Sequence, residues 1–326
     1  MITVEAPGLF STVQDRGRPG YYAMGIPPSG ALDLYAHDVA NVLVGNRRDA
    51  ATIECTFVGP TLTFDEFTVI AITGAAAEVY LEGMRVPMWM SQVVRANQTL
   101  EFRRLATGAR SYIAVRGGIE VPSLMGSLST YVASGLGGHH GRPLAAGDTL
   151  QVGAAVVPFS SPCGGVDVPD SDIPSYPSEL EIRVVPGLCD YRLTPSALED
   201  LYSTPYTVTT EANRTGYRLA GKPLEFKPRP APFGAGDDPS NVVNLGYPVG
   251  SIQVPSGTEL ICLLRDAVTG GGYATVGTII SVDLDALAQA KSPDVVRFVP
   301  VSIDQAIAAR ADRESRVQRI TQNVLR

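Results

Sequence analysis

Short runs in which apolar and polar residues alternate make up most of the chain, and turn residues separate one run from the next. This alternation predicts β-strands, because successive side chains of a strand point to opposite faces of the sheet. The run 67–73 is apolar on both faces, which predicts a strand in the interior of its sheet. The predicted strands span residues 2–6, 53–58, 67–73, 78–82, 99–105, 110–116, 180–185, 206–210, 251–254, 259–264 and 274–282.

Three segments have the features of helices. Apolar residues recur every three or four positions in 31–44, with Ser29 before the segment and Gly45 after it as candidate caps. Thr194 precedes a proline, which suits the first turn of a second helix. The run 302–305 resembles a capping box and predicts the start of a C-terminal helix.

Two stretches interrupt the periodic pattern. Prolines are frequent between about 156 and 180, as in a linker, and residues 222–241 are predicted to form a long loop or flap. Three short motifs recur in the same order in the two halves, which is consistent with a duplication or with chance. The predicted domains are an N-terminal β domain at 1–160, a Pro-rich linker at 161–180, a C-terminal β domain at 181–305 and a C-terminal helix at 306–326.

The composition narrows the class of protein. With 44% hydrophobic and 18% charged residues among 326, the chain has enough apolar material for two cores and too much for a disordered protein. The 33 glycines and 25 prolines exceed the usual share of about 12% and favour many short elements over a helical bundle. A net charge of −7 argues against nucleic acid as a partner. The sequence shows neither a run of about 20 apolar residues nor a signal peptide, so no membrane partner and a cytoplasmic location are expected.

Cysteine, histidine and lysine usage limits the chemistry. The cysteines are scattered without a Cys-x-x-Cys pair and are interpreted as core thiols: Cys55, Cys163, Cys189 and Cys262. His139 and His140 lie in a glycine-rich loop without a third ligand nearby in sequence, so no metal site is predicted. The sequence has neither a phosphate-binding loop nor a lysine in a biotin-acceptor setting. This chain alone is therefore expected to bind no cofactor, and any ATP or biotin chemistry would use another chain.

Several polar groups are candidates for chemistry, each with a structural alternative. Asp15 and Arg18 fit a functional cluster or a clamp on a turn. Arg214 and Arg218 would share a face if their segment is extended, which suits an anionic ligand, whereas a surface pair is the alternative. Asp266 is interpreted as an ion-pair partner or a proton acceptor. The glycines of 269–273 suit an anion-binding nest or a flexible hairpin.

Taken together, several motifs over about residues 1–305 resemble the pattern of one family. They are Gln14-Asp15-x-Gly17-Arg18-x-Gly20, Ser29-Gly30-Ala31-x-Asp33, Ala40-Asn41-x-Leu43-Val44-Gly45-Asn46, Gly117-Gly118-Ile119, Gly126-Ser127-x-Ser129-Thr130, Asn213-Arg214-x-Gly216-Tyr217-Arg218-Leu219, Ile252-Gln253-Val254-Pro255 and Gly271-Gly272-Tyr273. The chain is identified as a member of the biotin-dependent carboxyltransferase-like family. That family includes the C subunit of 5-oxoprolinase, allophanate hydrolase subunit 2, the Kip-type antagonist (KipA) and part of the urea carboxylase carboxyltransferase domain.

The resemblance implies a mainly β fold of two cyclophilin-like β-barrel domains with a few short helices. It implies a subunit of a heteromeric, ATP-dependent enzyme that acts on a small amide, lactam or ureido substrate by C–N hydrolysis or carboxyl transfer. The implied partner is a KipI-like or allophanate hydrolase subunit 1-like protein, with ATP, and biotin where it is needed, held elsewhere in the complex. The alternative is a KipA-type regulator that binds and antagonises a KipI-like kinase inhibitor.

Some positions depart from the family pattern as it is usually found. Leu128 stands where an arginine is usual, Ala267 and Val268 replace an Arg-Gln pair, and Ala212 replaces a serine. The loss of two arginines would remove anion contacts, which bears on the choice of substrate and favours the regulatory alternative modestly.

The resemblance and the polar pattern together predict one site at the junction of the two halves. The predicted catalytic residues are Arg214, Tyr217, Arg218, Asp266 and Tyr273. The predicted substrate-binding residues are Gln253, Thr269, Gly270, Gly271 and Gly272, facing Gln14, Asp15, Arg18, Ser127 and Ser129. Arg214 is expected to bind the substrate's charge, and the glycine N–H groups to stabilise oxyanion character.

Overall fold

The computed structural model describes residues 1–155 and 164–324. Within those ranges the strands are β1 Ile2–Ala6, β2 Phe10–Gln14, β3 Thr52–Thr56, β4 Thr61–Phe64, β5 Thr68–Gly74, β6 Ala77–Leu81, β7 Met84–Arg85, β8 Ser91–Val94, β9 Gln98–Leu105, β10 Arg110–Val115, β11 Ile119–Glu120, β12 Thr149–Val152, β13 Glu179–Pro186, β14 Tyr206–Ala212, β15 Gly216–Ala220, β16 Asn241–Gly246, β17 Ser251–Gln253, β18 Leu260–Leu263, β19 Gly270–Tyr273, β20 Thr275–Ile279 and β21 Val295–Pro300. The α-helices in the same ranges are α1 Leu34–Leu43, α2 Pro195–Ser203, α3 Asp283–Leu287 and α4 Ile303–Val324. The predicted mainly β class is confirmed.

Two compact units make up the chain. The first unit comprises 1–18, 29–176 and the chain from 313 onward, and the second comprises 19–28 and 177–312. Each unit therefore contains a segment that lies outside its main stretch of sequence.

The first unit is built from two antiparallel sheets. One sheet has the strand order β11-β12-β1-β4-β9-β6-β7, and the other has the order β2-β3-β10-β5-β8. Fully buried side chains such as Val4 and Leu62 from the first sheet pack with Ile53 and Ile72 from the second. Their burial removes apolar surface from water, which is the main stabilising contribution to such a layer. Strand β5 lies between β10 and β8, so the predicted interior position of this apolar strand is confirmed.

Helix α1 packs on the outer face of the five-stranded sheet. It begins later than predicted because Asp33, and not Ser29, is its N-cap: an Asp33 carboxylate oxygen accepts a hydrogen bond from Ala36 N at 2.9 Å. Ser29 instead has a left-handed backbone with φ of 52°, so it cannot begin the helix. The C-terminal part of α4 contributes Val317 and Ile320 to the hydrophobic cluster that α1 forms with this face of the sheet.

His37 of α1 is fully buried, and its two ring nitrogens have polar neighbours. Nδ1 lies 3.0 Å from Thr52 Oγ1, and Nε2 lies 3.1 Å from the Arg48 carbonyl oxygen. Burial lowers the pKa of this imidazole below its usual 6.5 because the charged form loses its hydration. The folded protein therefore keeps His37 neutral at a pH where the unfolded chain takes up a proton.

We expect this difference to destabilise the protein in acid. As pH falls through about 6.5, the free energy of unfolding should drop by up to about 1.4 kcal/mol per pH unit for this one group. Urea unfolding between pH 5 and 8 measures the slope. His37→Gln should flatten it. An unaltered slope in His37→Gln would contradict the assignment.

The second unit contains a closed barrel with the strand order β13-β20-β17-β18-β15-β14-β21. Strands β13 and β21 pair in parallel, from Glu179 opposite Val295 to Val184 opposite Pro300, and the other neighbours are antiparallel. The aromatic side chains of Tyr206 and Phe298 are buried in the barrel, with ring centroids 5.7 Å apart. Strands β16 and β19 form a separate two-stranded sheet.

Most predicted elements are present with ends shifted by one or two residues. The predicted strand 274–282 is shorter, because β20 ends at Ile279, and the C-terminal helix starts at Ile303 rather than 306. Its predicted capping box is confirmed by reciprocal hydrogen bonds between Ser302 and Gln305. Residues 221–240 contain neither a named strand nor an α-helix, as expected of a long loop. Part of the predicted linker, 156–163, lies outside the described residues.

Candidate functional site

In the first unit, Asp15 binds a loop that lies more than 110 residues further along the chain. One carboxylate oxygen accepts hydrogen bonds from Ser127 Oγ at 2.7 Å and from Ser129 Oγ, and the other accepts one from Leu128 N at 2.6 Å. Gly17 N also donates to Asp15, at 2.7 Å. Both serines are fully buried. Four donors satisfy both oxygens of this carboxylate, and charge-assisted hydrogen bonds are strong, so the contact fixes the loop firmly.

Gln14 and Arg18 belong to the same polar cluster. Gln14 Nε2 donates to the Thr130 carbonyl oxygen at 3.0 Å, and the Arg18 guanidinium donates to the Ser129 carbonyl oxygen. Both side chains are buried. The structure thus brings together all five residues predicted for the N-terminal half, and the bonds of Asp15 and Arg18 favour the clamp interpretation for these two.

A cleft of about 370 Å³ opens beside this cluster within the first unit. Its walls come from four of the sequence motifs that identify the family, although these motifs lie far apart in the chain. Backbone conformation explains the glycines: Gly17, Gly117 and Gly126 have φ of 92°, 98° and 75°, which disfavours residues with a Cβ. The lining residues are Asp15, Arg16, Gly17, Asn46, Arg47, Asp49, Ala50, Gly117, Gly126 and Leu128.

The polar side chains of this cleft combine hydrogen-bond donors and acceptors. Arg47 binds Asp49 through two parallel bonds, Nε to Oδ1 at 3.0 Å and NH2 to Oδ2 at 2.9 Å, and both side chains are exposed. The Arg47 hydrogen bond lowers the pKa of Asp49, so this carboxylate stays ionised. The Arg16 guanidinium lies 3.7 Å from Asp38. Exposed guanidiniums can bind an anionic group, and a carboxylate beside them can accept an amide N–H at the same place.

Sequence reasoning missed several residues of this cleft. Arg16 is one of the two variable positions of the Gln14-to-Gly20 motif, and Arg47 and Asp49 follow the motif that ends at Asn46. The position of Asn46 after α1 is typical of a helix cap, but its amide also donates to the Val115 carbonyl oxygen at 2.8 Å, and its oxygen accepts from Gly117 N at 2.7 Å. For Arg16, Arg47 and Asp49, proximity to the motifs is the only sequence signal.

In the second unit, Arg214 and Asp266 form a buried ion pair. Arg214 Nε donates to one oxygen of Asp266 at 2.7 Å and NH2 donates to the other at 3.1 Å. The side chains are 6% and 5% exposed, so the pair is removed from water. Arg214 precedes β15 and Arg218 lies within it, so the strand alternation that would place both on one face does not apply. The ion-pair alternative for Asp266 is favoured.

Arg218 and Tyr217 lie side by side on β15 but differ in their surroundings. Arg218 pairs with Glu259 and, at 2.9 Å, with Glu211, and its side chain is 41% exposed. Tyr217 is buried, and its hydroxyl donates to the Ala288 carbonyl oxygen at 3.3 Å. The ion pairs of Arg218 with two glutamates favour a surface role for this arginine.

The glycine run is a strand and not an anion-binding nest. Gly270 to Tyr273 form β19, which pairs with β16 in antiparallel register, and Gly270, Gly271 and Gly272 have none of the positive φ angles that a nest alternates. An extended strand points its successive N–H groups to opposite sides, so they do not converge on one anion. The nest interpretation of this segment is therefore wrong, and a role of these residues in substrate binding stays a prediction.

Tyr247, which the sequence analysis did not single out, connects several predicted site residues. Its hydroxyl donates to the Tyr273 carbonyl oxygen at 3.0 Å and accepts from Tyr273 N at 2.6 Å, while Tyr247 N donates to the Thr269 carbonyl oxygen at 2.9 Å. Burial raises the pKa of Tyr247, and hydrogen bonds with Tyr273 and Gln253 oppose that effect. Gln253, Thr269 and Tyr273 are thus brought together around one tyrosine.

The remaining candidate groups are the cysteines and the His139-His140 pair. Cys55, Cys189 and Cys262 are buried free thiols, and burial raises the pKa of Cys55 and Cys262 well above the usual value, which confirms the core interpretation for these three. Cys163 lies outside the described residues. His139 Nε2 lies 3.5 Å from Asp148, and the described part of the chain contains no group of three His, Cys, Asp or Glu side chains suited to a metal ion.

A two-sheet unit and a closed-barrel unit, with the motif residues of the N-terminal half gathered around Asp15, are what a carboxyltransferase-like protein requires. Residues 24–300 match the family model described as "Carboxyltransferase domain, subdomain A and B", and the chain belongs to that family. The resemblance drawn from the motifs is confirmed.

Known relatives differ in how much of their length this chain spans. It is 33% identical to the C subunit of 5-oxoprolinase from Escherichia coli over 320 residues, which cover 96% of both chains. It is 32% identical to the urea amidolyase of Saccharomyces cerevisiae but spans only 18% of that protein. Against the crystal structure of the Kluyveromyces lactis urea carboxylase, all of this chain aligns with 29% of that chain, at a TM-score of 0.92 and 28% identity. Nothing in these comparisons supports the KipA-type alternative. In the described residues, no helix is long and apolar enough to cross a membrane.

Proposed function

We propose that the chain is a subunit of a heteromeric, ATP-dependent amide or lactam hydrolase of the 5-oxoprolinase type. One observation supports this most strongly: the chain and the C subunit of Escherichia coli 5-oxoprolinase cover 96% of each other, whereas only a fraction of a urea amidolyase is covered. This relative is named as a subunit, which supports a function in an assembly of several chains. The proposed partner is a KipI-like or allophanate hydrolase subunit 1-like protein.

The proposed role of this subunit is to supply substrate-binding surface from the first-unit cleft. A lactam such as 5-oxoproline presents a carboxylate and a ring N–H. The Arg47 and Arg16 guanidiniums would bind the carboxylate, and the ionised Asp49 would accept the ring N–H. Leu128, in the place of the usual arginine, adds an apolar wall instead of a third cation.

ATP handling is assigned to another component of the complex, since this sequence has no phosphate-binding loop. Hydrolysis of an unstrained lactam is unfavourable without activation, so phosphorylation of the amide oxygen in the partner is a sensible division of labour. A complex of this kind should bury well over about 1,000 Å² between its subunits.

Carboxyl transfer to an amide or ureido nitrogen is the second candidate function. The TM-score of 0.92 to the Kluyveromyces lactis urea carboxylase over the whole chain favours it. A biotin carried by another protein would then deliver the carboxyl group.

A substrate screen on the purified complex tests the proposal. The chain is co-expressed with its candidate partner, and ATP-dependent consumption of 5-oxoproline, allophanate and urea is measured with and without bicarbonate and avidin. The proposal expects bicarbonate-independent and avidin-insensitive turnover of 5-oxoproline. Avidin-sensitive, bicarbonate-dependent ATP use would establish the carboxyltransferase alternative. Stable complex formation without turnover of any substrate would argue against both enzymatic roles.

A further inference from the structure

A second cleft, of about 380 Å³, lies entirely within the second unit and takes no part in the proposed function. Three of its lining side chains are cationic and none is acidic. The first-unit cleft has a different charge pattern, because the acidic side chain of Asp49 lies there beside Arg47. The lining residues are Tyr191, Arg192, Lys227, Pro228, Arg229, Val242 and Val243.

The three cations are held by backbone carbonyl groups. Arg192 donates to the carbonyl oxygens of Asn241, at 3.0 Å, and of Pro239, and the Arg229 NH2 group donates to the same Asn241 oxygen. Lys227 Nζ donates to the Tyr191 carbonyl oxygen at 2.7 Å. Among residues 164–324 the structure identifies no ion pair for any of these three side chains. Their positions are therefore fixed while their charges are not neutralised by a bonded carboxylate.

Two guanidiniums that share one acceptor oxygen are necessarily close. Since each donor nitrogen lies within about 3 Å of the Asn241 oxygen, the nitrogens of Arg192 and Arg229 are within about 6 Å of one another. Like charges at that separation repel, and Arg192 is only 9% exposed, so solvent screens its charge weakly. Asp238 is close enough for the Arg192 charge to help lower its pKa, but the hydrogen bonds of its carboxylate come from Ser240 and Ser256.

Arg229 also has a donor without a partner, beside the cleft. The Nε–H of Arg229 is shielded from solvent and has no hydrogen-bond partner among the described residues. Buried donors normally find an acceptor, because leaving one unpaired is costly. An oxyanion in the cleft would offset the repulsion between the cations.

We propose that this cleft is a binding site for a compact oxyanion, a carboxylate or a phosphate, held by Arg229 and Lys227. The side chains of Tyr191 and Val243 are 68% and 60% exposed beside the cations and would cover the apolar part of an organic anion. The volume is at the lower end of the range for small-molecule sites, which suits a metabolite-sized ligand.

Isothermal titration at low salt with two probes, inorganic phosphate and acetate, tests the site and distinguishes the two classes of anion, since neither probe has the ring N–H that the first-unit cleft is proposed to bind. At least one probe should bind the wild-type chain saturably, and added NaCl should weaken the binding. Arg229→Gln with Lys227→Gln should weaken it at least tenfold, since charge-assisted hydrogen bonds are lost. Lys222→Gln is the matched control, because Lys222 belongs to the same unit but pairs with Asp200.

A single Lys227→Gln variant keeps the test informative if the double variant misfolds. Lys227 is exposed, and its substitution leaves the Arg229 contact to Asn241 intact. The single variant should retain the wild-type melting temperature and still bind several-fold more weakly. Absence of binding for both probes, or equal binding by wild type and both variants, would overturn the site. Because the readout is binding and not turnover, failure of the hydrolase proposal would leave this result unaffected.

Discussion

Replacing Asp15 by alanine is expected to destabilise the protein by about 3–5 kcal/mol and to abolish turnover by the complex. The substitution leaves Gly17 N, Leu128 N and two serine hydroxyls without their acceptor, and each buried donor that stays unpaired costs about 1–3 kcal/mol. The two hydroxyls can find other acceptors in part, so the total loss stays below the sum of four such costs. Urea unfolding of the isolated chain measures the loss.

Two further variants make the Asp15 experiment specific. Asp15→Asn keeps one acceptor oxygen and should cost less than Asp15→Ala. Asp49→Ala removes another carboxylate of the same cleft, but its pair with Arg47 is exposed and should change stability by less than about 1 kcal/mol. Equal stability of Asp15→Ala and wild type would show that the carboxylate does not hold the 127–129 loop.

Arg214→Ala is expected to cost about 3–5 kcal/mol, because it leaves the Asp266 carboxylate buried without the guanidinium that binds both of its oxygens. The double variant Arg214→Met with Asp266→Leu removes both charges and should recover stability to within about 1 kcal/mol of wild type. Urea unfolding of the two variants measures the difference. If the double variant is no more stable than Arg214→Ala, the buried pair is not the cause of the loss.

Turnover by the double variant distinguishes the two roles considered for Arg214. If Arg214 serves only as the structural ion-pair partner of Asp266, the folded double variant in complex with its partner should work at a rate close to that of wild type. A residue that binds the substrate's charge predicts a stable double variant with turnover lowered by orders of magnitude. The bidentate pair with Asp266 leads us to expect the first result.

The polar cluster around Asp15 shows how far the sequence can predict a site. Two motifs that match one family single out Asp15, Ser127 and Ser129, and the structure joins them directly. Because more than 110 residues separate Asp15 from the serines, only the resemblance, and no local periodicity, connects them. Arg47 and Asp49 are not predictable in this way, because an Arg-x-Asp on a surface turn has no distinctive pattern.

The glycine run of β19 illustrates a wrong sequence-based prediction, that of an anion-binding nest, with a clear physical cause. Glycines between strands permit a nest, a hairpin or a strand, and local sequence does not choose between them. The choice is made by β16, which begins 29 residues earlier and supplies the pairing partner. The division of the chain into discontinuous units is unpredictable for a similar reason. Residues 19–28 and the end of α4 are assigned to their units by tertiary contacts, which composition does not encode.

The initial rate of ATP-dependent 5-oxoproline ring opening by the complex, compared between wild type and Arg47→Gln, tests the central claim most directly. Arg47 lines the first-unit cleft but is exposed, so its substitution should not disturb folding. The matched control is Arg103→Gln, which removes an exposed arginine that pairs with Glu101 and does not line the cleft. We predict that kcat/KM falls at least tenfold in Arg47→Gln, as expected for one charge-assisted hydrogen bond, and is unchanged in Arg103→Gln. Equal rates for wild type and Arg47→Gln, in complexes of equal stability, would contradict the assignment of this cleft as the substrate-binding surface.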